Sequence, residues 1–180
     1  MSAVVQAVPA AADAVSEVKA YLRLESDAED TLIARLIAAA IAVCEGFTGV
    51  QLIARDGTET IPAAREWRRL SLTPVRAIMV IEGAAAGGDA FTLPSEAFAI
   101  DIDGNGDGWV RVTVPGPARR AIVHYRAGLA EDWSELPEPM RQGIVRLATH
   151  LYSHRDAADQ AGPPAAVAAL WRPWRRMRLR

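Results

Sequence analysis

Ser26-Asp27-Ala28-Glu29-Asp30-Thr31-Leu32-Ile33-Ala34-Arg35-Leu36-Ile37-Ala38-Ala39-Ala40-Ile41-Ala42-Val43-Cys44-Glu45-Gly46-Phe47-Thr48-Gly49 decides the fold class. Leu32, Ile33, Leu36, Ile37, Ala40, Ile41 and Cys44 recur at helical spacing and form a wide apolar stripe, the mark of a helix packed on a core. Ser26-Asp27-Ala28-Glu29 has the form of a capping box, with the Ser26 hydroxyl expected on the Glu29 N–H and the Glu29 carboxylate on the Ser26 N–H. Asp27, Glu29 and Asp30 place negative charge where the helix dipole is positive. Gly46 or Gly49 is expected to stop the helix in the left-handed conformation.

Upstream, Asp13–Leu24 reads as a short helix with Val15, Val18 and Leu22 on one face and Tyr21 beside them. Residues 1–12 are small, apolar and proline-containing, and are expected to be a flexible arm. Downstream of Gly49 the period changes to two, with Gly and Pro punctuation. Gln51–Arg55 and Thr58–Ile61 flank Asp56-Gly57, which predicts a type I′ hairpin turn. Arg68–Leu72, Val75–Ile81, Phe98–Ile102, Trp109–Val114 and Ala121–Tyr125 read as further strands. Pro139–Arg155 returns to helical period, with Ile144, Leu147, Ala148, Leu151 and Tyr152 on one face. Ala165–Leu170 has room for one or two helical turns, which Pro173 would end. The fold class is therefore α+β: two N-terminal helices and one long C-terminal helix around an inserted antiparallel sheet or small barrel at about residues 50–125. The expected organisation is one domain over 13–160 and an extended C-terminal tail over 161–180.

Composition bounds the function. The chain has 180 residues, 51% hydrophobic, with mean hydropathy +0.06, enough apolar material for a core. The net charge of -2 hides an asymmetry. Arg172, Arg175, Arg176, Arg178 and Arg180 lie in the last eleven residues with no acid among them, so the remainder carries -2 minus 5, or -7. An acidic body tends to repel nucleic acid, while its basic end is drawn to acidic surfaces. Cys44 is the single cysteine, which precludes an intrachain disulfide and fits a reducing compartment. Met1–Ala12 lacks the basic residues of a secretory leader, and no apolar run is expected to reach the roughly 20 residues that span a bilayer.

Each candidate site has a plainer reading. Asp101-Ile102-Asp103-Gly104-Asn105-Gly106-Asp107 resembles the start of a calcium loop, but Val112 stands where the bidentate carboxylate is needed. A glycine-rich hairpin turn is the preferred reading. His150 and His154 share a helical face, yet no Glu follows His150 and no third ligand lies near, so a structural role is preferred to a zinc site. Cys44 sits on the apolar stripe and reads as a buried structural thiol. His124 lies mid-strand without an obvious partner. Glu131, Asp132, Glu135 and Glu138 precede a helix, where dipole compensation and solvation explain them. The sequence carries no phosphate-cradling loop and no nucleophile elbow. No enzyme activity and no cofactor are expected.

The tail is different. Trp171-Arg172-Pro173-Trp174-Arg175-Arg176-Met177-Arg178-Leu179-Arg180 combines the residue types that carry most interface energy, and Pro173 stiffens it. It reads as a docking arm with Trp171 and Trp174 as exposed anchors, so that deleting Leu170–Arg180 is expected to leave a folded protein. The alternative is a nucleic-acid-binding protein that uses these Arg and Trp side chains on phosphates and bases.

The ordered set of segments resembles the head–tail connector, or adaptor, proteins of long-tailed phages and phage-derived gene transfer agents. The resemblance runs from Val15-Ser16-Glu17-Val18-Lys19-Ala20-Tyr21-Leu22-Arg23-Leu24 through Asp30–Ala40 to Cys44-Glu45-Gly46-Phe47-Thr48-Gly49. It resumes at Leu72-Thr73-Pro74-Val75, at His124-Tyr125-Arg126-Ala127-Gly128, at Leu136–Ile144, at His150–Arg155 and in the basic tail. The departures are the alanine-rich N-terminal extension and the elaborated region between Gln51 and Tyr125.

The resemblance implies a virion-neck protein made in the bacterial cytoplasm. It implies a self-associated ring of about twelve subunits beneath the portal protein, with a heterologous contact between neighbours. The ring would join the portal to the next neck protein on the tail-terminator side, and DNA would pass through its channel unrecognised. Helices would pack between neighbours, the C-terminal tail would reach the portal, and no membrane would be involved.

Overall fold

The computed structural model describes residues 4–5, 11–154 and 162–176. The architecture is α+β, as expected. The chain divides into two compact units. One is built on Ala54–Leu129 and the short strand Val4–Val5, the other on the residues before and after that insertion.

The helical unit contains α1 (Ala12–Leu22), α2 (Asp30–Thr48), α3 (Glu138–Ser153) and α4 (Ala165–Trp171), the last followed by a 3-10 turn at Arg172–Trp174. Ile33, Ile37, Ala40, Ile41 and Cys44 of α2 are buried with Ala14 and Val18 of α1, Met140, Ile144, Leu147 and Ala148 of α3, and Val167 of α4. The stripe read from the sequence is thus the spine of the core. α2 is 19 residues long with a mean hydropathy of 1.7, long and apolar enough by length and composition to cross a membrane, contrary to the sequence expectation. Its stripe is instead packed against α1, α3 and α4.

The start of α2 differs from the predicted capping box. Glu29, not Ser26, takes the N-cap position, without a side-chain cap bond. The Ser26 hydroxyl accepts from Ala28 N–H at 3.2 Å. The reason is tertiary: Tyr152 of α3 donates its hydroxyl to the Glu29 carboxylate, and Lys19 of α1 takes Asp27. Gly49 ends the helix with φ 72°, and its N–H bonds the Glu45 carbonyl at 2.8 Å.

Among its described residues the second unit holds eight strands: β1 (Val4–Val5), β2 (Arg55–Pro62), β3 (Arg68–Arg69), β4 (Val75–Ala84), β5 (Ala90–Thr92), β6 (Phe98–Ile102), β7 (Gly108–Val112) and β8 (Arg120–Ala127). They form a five-stranded sheet, β1-β2-β8-β4-β5, and a three-stranded sheet, β3-β7-β6. All named pairs are antiparallel, and neither sheet closes into the small barrel allowed by the sequence. One apolar cluster draws Ile61, Ile81, Val123 and Tyr125 from the larger sheet and Val110 and Val112 from the smaller. The predicted loose arm contributes Val4–Val5 as an edge strand on β2.

The predicted Asp56-Gly57 hairpin does not form. Both residues lie inside β2, where Gly57 pairs with Val5 on one side and Tyr125 on the other. A Cβ on Gly57 would stand 2.9 Å from Leu72 Cδ1, so the glycine lies in a packed strand and not in a turn. Within the same core Glu59 is buried. Its carboxylate accepts from Ser71 N–H and Ser71 hydroxyl, both at 2.8 Å, and from the Tyr125 hydroxyl at 3.0 Å. Burial, reinforced by the Glu59 charge, pushes the Tyr125 phenol well above its ordinary value.

Candidate functional site

The C-terminal segment is where the structure corrects the sequence most. Trp171, expected as an exposed anchor, is 0% exposed. Its ring lies on α3 at Gly143, where an added Cβ would stand 2.1 Å from Trp171 Nε1. The indole N–H donates to the Met140 carbonyl at 3.4 Å, and the ring tilts against Phe47 at 6.1 Å between centroids. An apolar helical core with a missing Cβ on α3 offers Trp171 more burial than solvent could. Trp171 is therefore a core residue, and a deletion from Leu170 onward removes it.

The chain stays against the helical unit beyond Trp171. Pro173 does not simply end α4, which continues as the 3-10 turn. Arg175 lies over the Phe47 ring at 5.3 Å, and Arg176 N–H donates to the Thr48 carbonyl at 2.8 Å. Arg172 and Arg175 are exposed, and Trp174 and Arg176 are half-buried. Met177, Arg178, Leu179 and Arg180 lie outside the described residues.

The other candidates fall where their plainer readings put them. Asp103 to Asp107 form the β6–β7 turn. Asp103 Oδ1 accepts from Asn105 N–H at 2.8 Å and Asp107 N–H at 3.0 Å, and Oδ2 accepts from Trp109 Nε1–H at 3.1 Å. That carboxylate serves the hairpin, and Gly106 takes φ 76° against Pro74. The His150 and His154 rings stack at 4.3 Å, and among the described residues no cluster of three or more His, Cys, Asp or Glu is arranged to hold a metal. Burial pushes the Cys44 thiol far up, which keeps it protonated. In the acidic loop, Asp132 is lowered by the hydrogen bond from Ser134, and Glu138, in the first turn of α3, by that from Arg141. His124, read as partnerless, has two partners. Its Nδ1 is 3.2 Å from Thr58 Oγ1 and its Nε2 is 2.9 Å from Glu82, a ladder across β2, β8 and β4.

Sequence reasoning passes over a second Arg/Trp segment. Arg65, Trp67, Arg68 and Arg69 are all exposed. Trp67 is 41% exposed, with the Arg111 guanidinium over its ring at 4.6 Å. β3 seats Arg69 opposite Trp109. The signal was the same alternation of Trp and Arg that draws attention to the tail. Most exposed large apolar side chains among the described residues also lie on this unit, among them Met79, Val80, Ile100, Ile102 and Val114. Concentrations of this kind mark surfaces that partners cover.

Among the described residues, the surface singled out above is aromatic, guanidinium and apolar. The chain belongs to the head completion protein family, whose model matches residues 14–162. It is similar over 99% of its length, and over 97% of the other chain, to a chain in the neck of an empty gene transfer agent (GTA) particle computed with C6 symmetry, at 25% identity and TM-score 0.81. A chain of the virion of a native GTA particle gives 27% identity and TM-score 0.76, with coverage of 99% and 97%. A chain of the neck of a native GTA particle computed with C12 symmetry gives 25% and 0.72, with coverage of 98% and 97%. No curated protein matches the chain.

Proposed function

We propose that this chain is a head–tail connector subunit. It sits in the neck of a phage or phage-like particle as a twelve-fold ring beneath the portal, joins the portal to the next neck protein, and leaves a channel for DNA. The observation that carries this reading is end-to-end likeness: each similar neck or virion chain is covered over 97% of its own length. A shared fragment would point to a common fold alone, whereas a match of whole chains supports a common assembly.

The surface of α2 supports the ring. Its outward positions include Ala38, Ala39, Ala42 and Val43, all exposed, where a helix facing solvent normally carries polar side chains. Small apolar residues let a neighbouring subunit approach closely. The portal contact is assigned to the end of the C-terminal segment, the exposed Arg172 and Arg175 and the half-buried Trp174 and Arg176, continued by Met177 to Arg180. Trp171 acts there indirectly, by fixing where the segment leaves the core.

A truncation lacking residues 175–180 keeps Trp171 and tests this assignment. The truncated protein is expected to fold with an unchanged circular dichroism spectrum and to lose attachment to portal-bearing particles. Attachment at the full level would overturn the portal role of the tail.

A further inference from the structure

The ring reading requires two different faces on each subunit, and two features found on separate units fit one another. The first is a groove between α1 and α2 of about 650 Å³. Its lining combines the apolar Val15, Ala20, Leu24 and Ala34 with the charged Lys19, Asp27 and Asp30. One cation serves both carboxylates: Lys19 Nζ bonds Asp27 and lies 2.8 Å from Asp30 Oδ1. Asp27 remains 87% exposed, and Glu25 adds a further exposed charge beside it. The groove therefore suits a large apolar group flanked by cations.

The second feature is the segment Arg65-Glu66-Trp67-Arg68-Arg69. It offers one large aromatic side chain between guanidinium groups. Arg111 covers one side of the Trp67 ring, and the side chain is otherwise left partly in water. Arg69 has a loose ion pair to Asp107 at 3.4 Å, with its own side chain 44% exposed. Among the described residues the groove stays open and Trp67 stays partly exposed.

We propose that the α1–α2 groove of one copy receives Trp67 of a neighbouring copy, with Arg65 and Arg68 facing Asp27 and Asp30. The proposal rests on the ring reading and names its two faces. Because the faces differ, the contact is heterologous and repeats from subunit to subunit until the ring closes. Trp67 supplies the anchor, since a buried Trp at an interface carries far more than an exposed ion pair. The charges set the register and the direction of the ring. A nucleic-acid ligand suits the segment less well. The β6–β7 hairpin beside β3 carries Asp101, Asp103 and Asp107, which offset the arginines and would repel phosphate.

The test is site-directed cross-linking in assembled particles. Ala20→Cys and Glu66→Cys place thiols in the groove and beside Trp67, both at exposed positions, while the buried native Cys44 does not compete. Mild oxidation of particles carrying the double variant is expected to give a ladder of disulfide-linked copies. Particles built from an equal mixture of the two single variants are expected to stop at dimers, and either single variant alone to give no linked product. Absence of linked copies in particles that contain the chain overturns the proposal and leaves the neck reading standing. So does cross-linking to a different particle protein. Absence of the chain from the particles removes the neck reading and the proposal with it. As an independent arm, Asp27→Arg and Arg68→Asp are each expected to lower incorporation at least threefold and to restore it when combined. Failure of the combination to exceed the single variants counts against the pairing. Salt-sensitive binding of purified protein to duplex DNA that Trp67→Ala abolishes would reassign the segment to nucleic acid.

Discussion

Two segments of this chain place tryptophan among arginines, and they have opposite fates. At the C-terminus, Trp171 precedes Arg172 and is wholly buried against Gly143. In the inserted sheet, Trp67 precedes Arg68 and Arg69 and remains 41% exposed. Local composition does not distinguish them. The difference lies in α3, where a glycine opens a site for one indole, and in β7, where Arg111 covers only one side of the other. A Trp/Arg run therefore marks a docking surface only when no helix or sheet of the same chain supplies a site shaped for the ring.

The largest expected effect breaks the comparison on the buried side. Trp171→Ala should destabilise the protein by about 3–5 kcal/mol in chemical denaturation, the usual cost of removing a buried aromatic side chain. Gly143→Ala should cost about 1–3 kcal/mol by overpacking, because the new methyl group competes with the indole for one space. If Gly143→Ala is neutral, the close approach is not what holds Trp171.

The two units also differ in how their cores are made, which gives a third prediction. The helical core is filled by aliphatic side chains, Met140, Cys44 and Trp171, whereas the sheet core contains the Glu59 carboxylate. Tyr125→Phe takes away one of its donors and should cost about 1–3 kcal/mol, the penalty of leaving a buried polar group short of a partner. The same pair predicts a pH effect. Burial in the folded state raises the Tyr125 pKa above the ordinary phenol value of about 10, so folding favours the neutral phenol. Its contribution is complete below pH 10 and declines as the pH rises beyond that. A denaturation series from pH 8 to 11 should show alkaline destabilisation in the native protein and less of it in Tyr125→Phe. Equal slopes would remove the tyrosine from the account. The smallest effect belongs to Trp67→Ala, which should change stability by less than about 1 kcal/mol, the scale of an exposed cation–π contact, while lowering incorporation into particles.

The helices were legible in the sequence because a period of 3.6 residues records their packing directly. α2 keeps its predicted stripe, Gly49 its left-handed stop, and α3 begins one residue from where its pattern starts. Errors arose where a local signal competed with a tertiary partner. Ser26-Asp27-Ala28-Glu29 has the residues of a capping box, but Tyr152 and Lys19 claim two of them. Asp56-Gly57 has the residues of a hairpin turn, but strand pairing on both sides and the approach of Leu72 claim them. Trp171 follows the same rule. The partners of His124 and Glu59 lie on other strands or loops, at sequence separations no local pattern records.

The central proposal is that the chain is a ring subunit of a particle neck. Cryo-electron microscopy of particles carrying this chain tests that most directly, by locating its density and counting its copies. The account predicts twelve copies in one ring between the portal and the next neck protein, with α2 at the contacts between neighbours. Density on the capsid surface or the distal tail, or a single unrepeated copy at the neck, would contradict it.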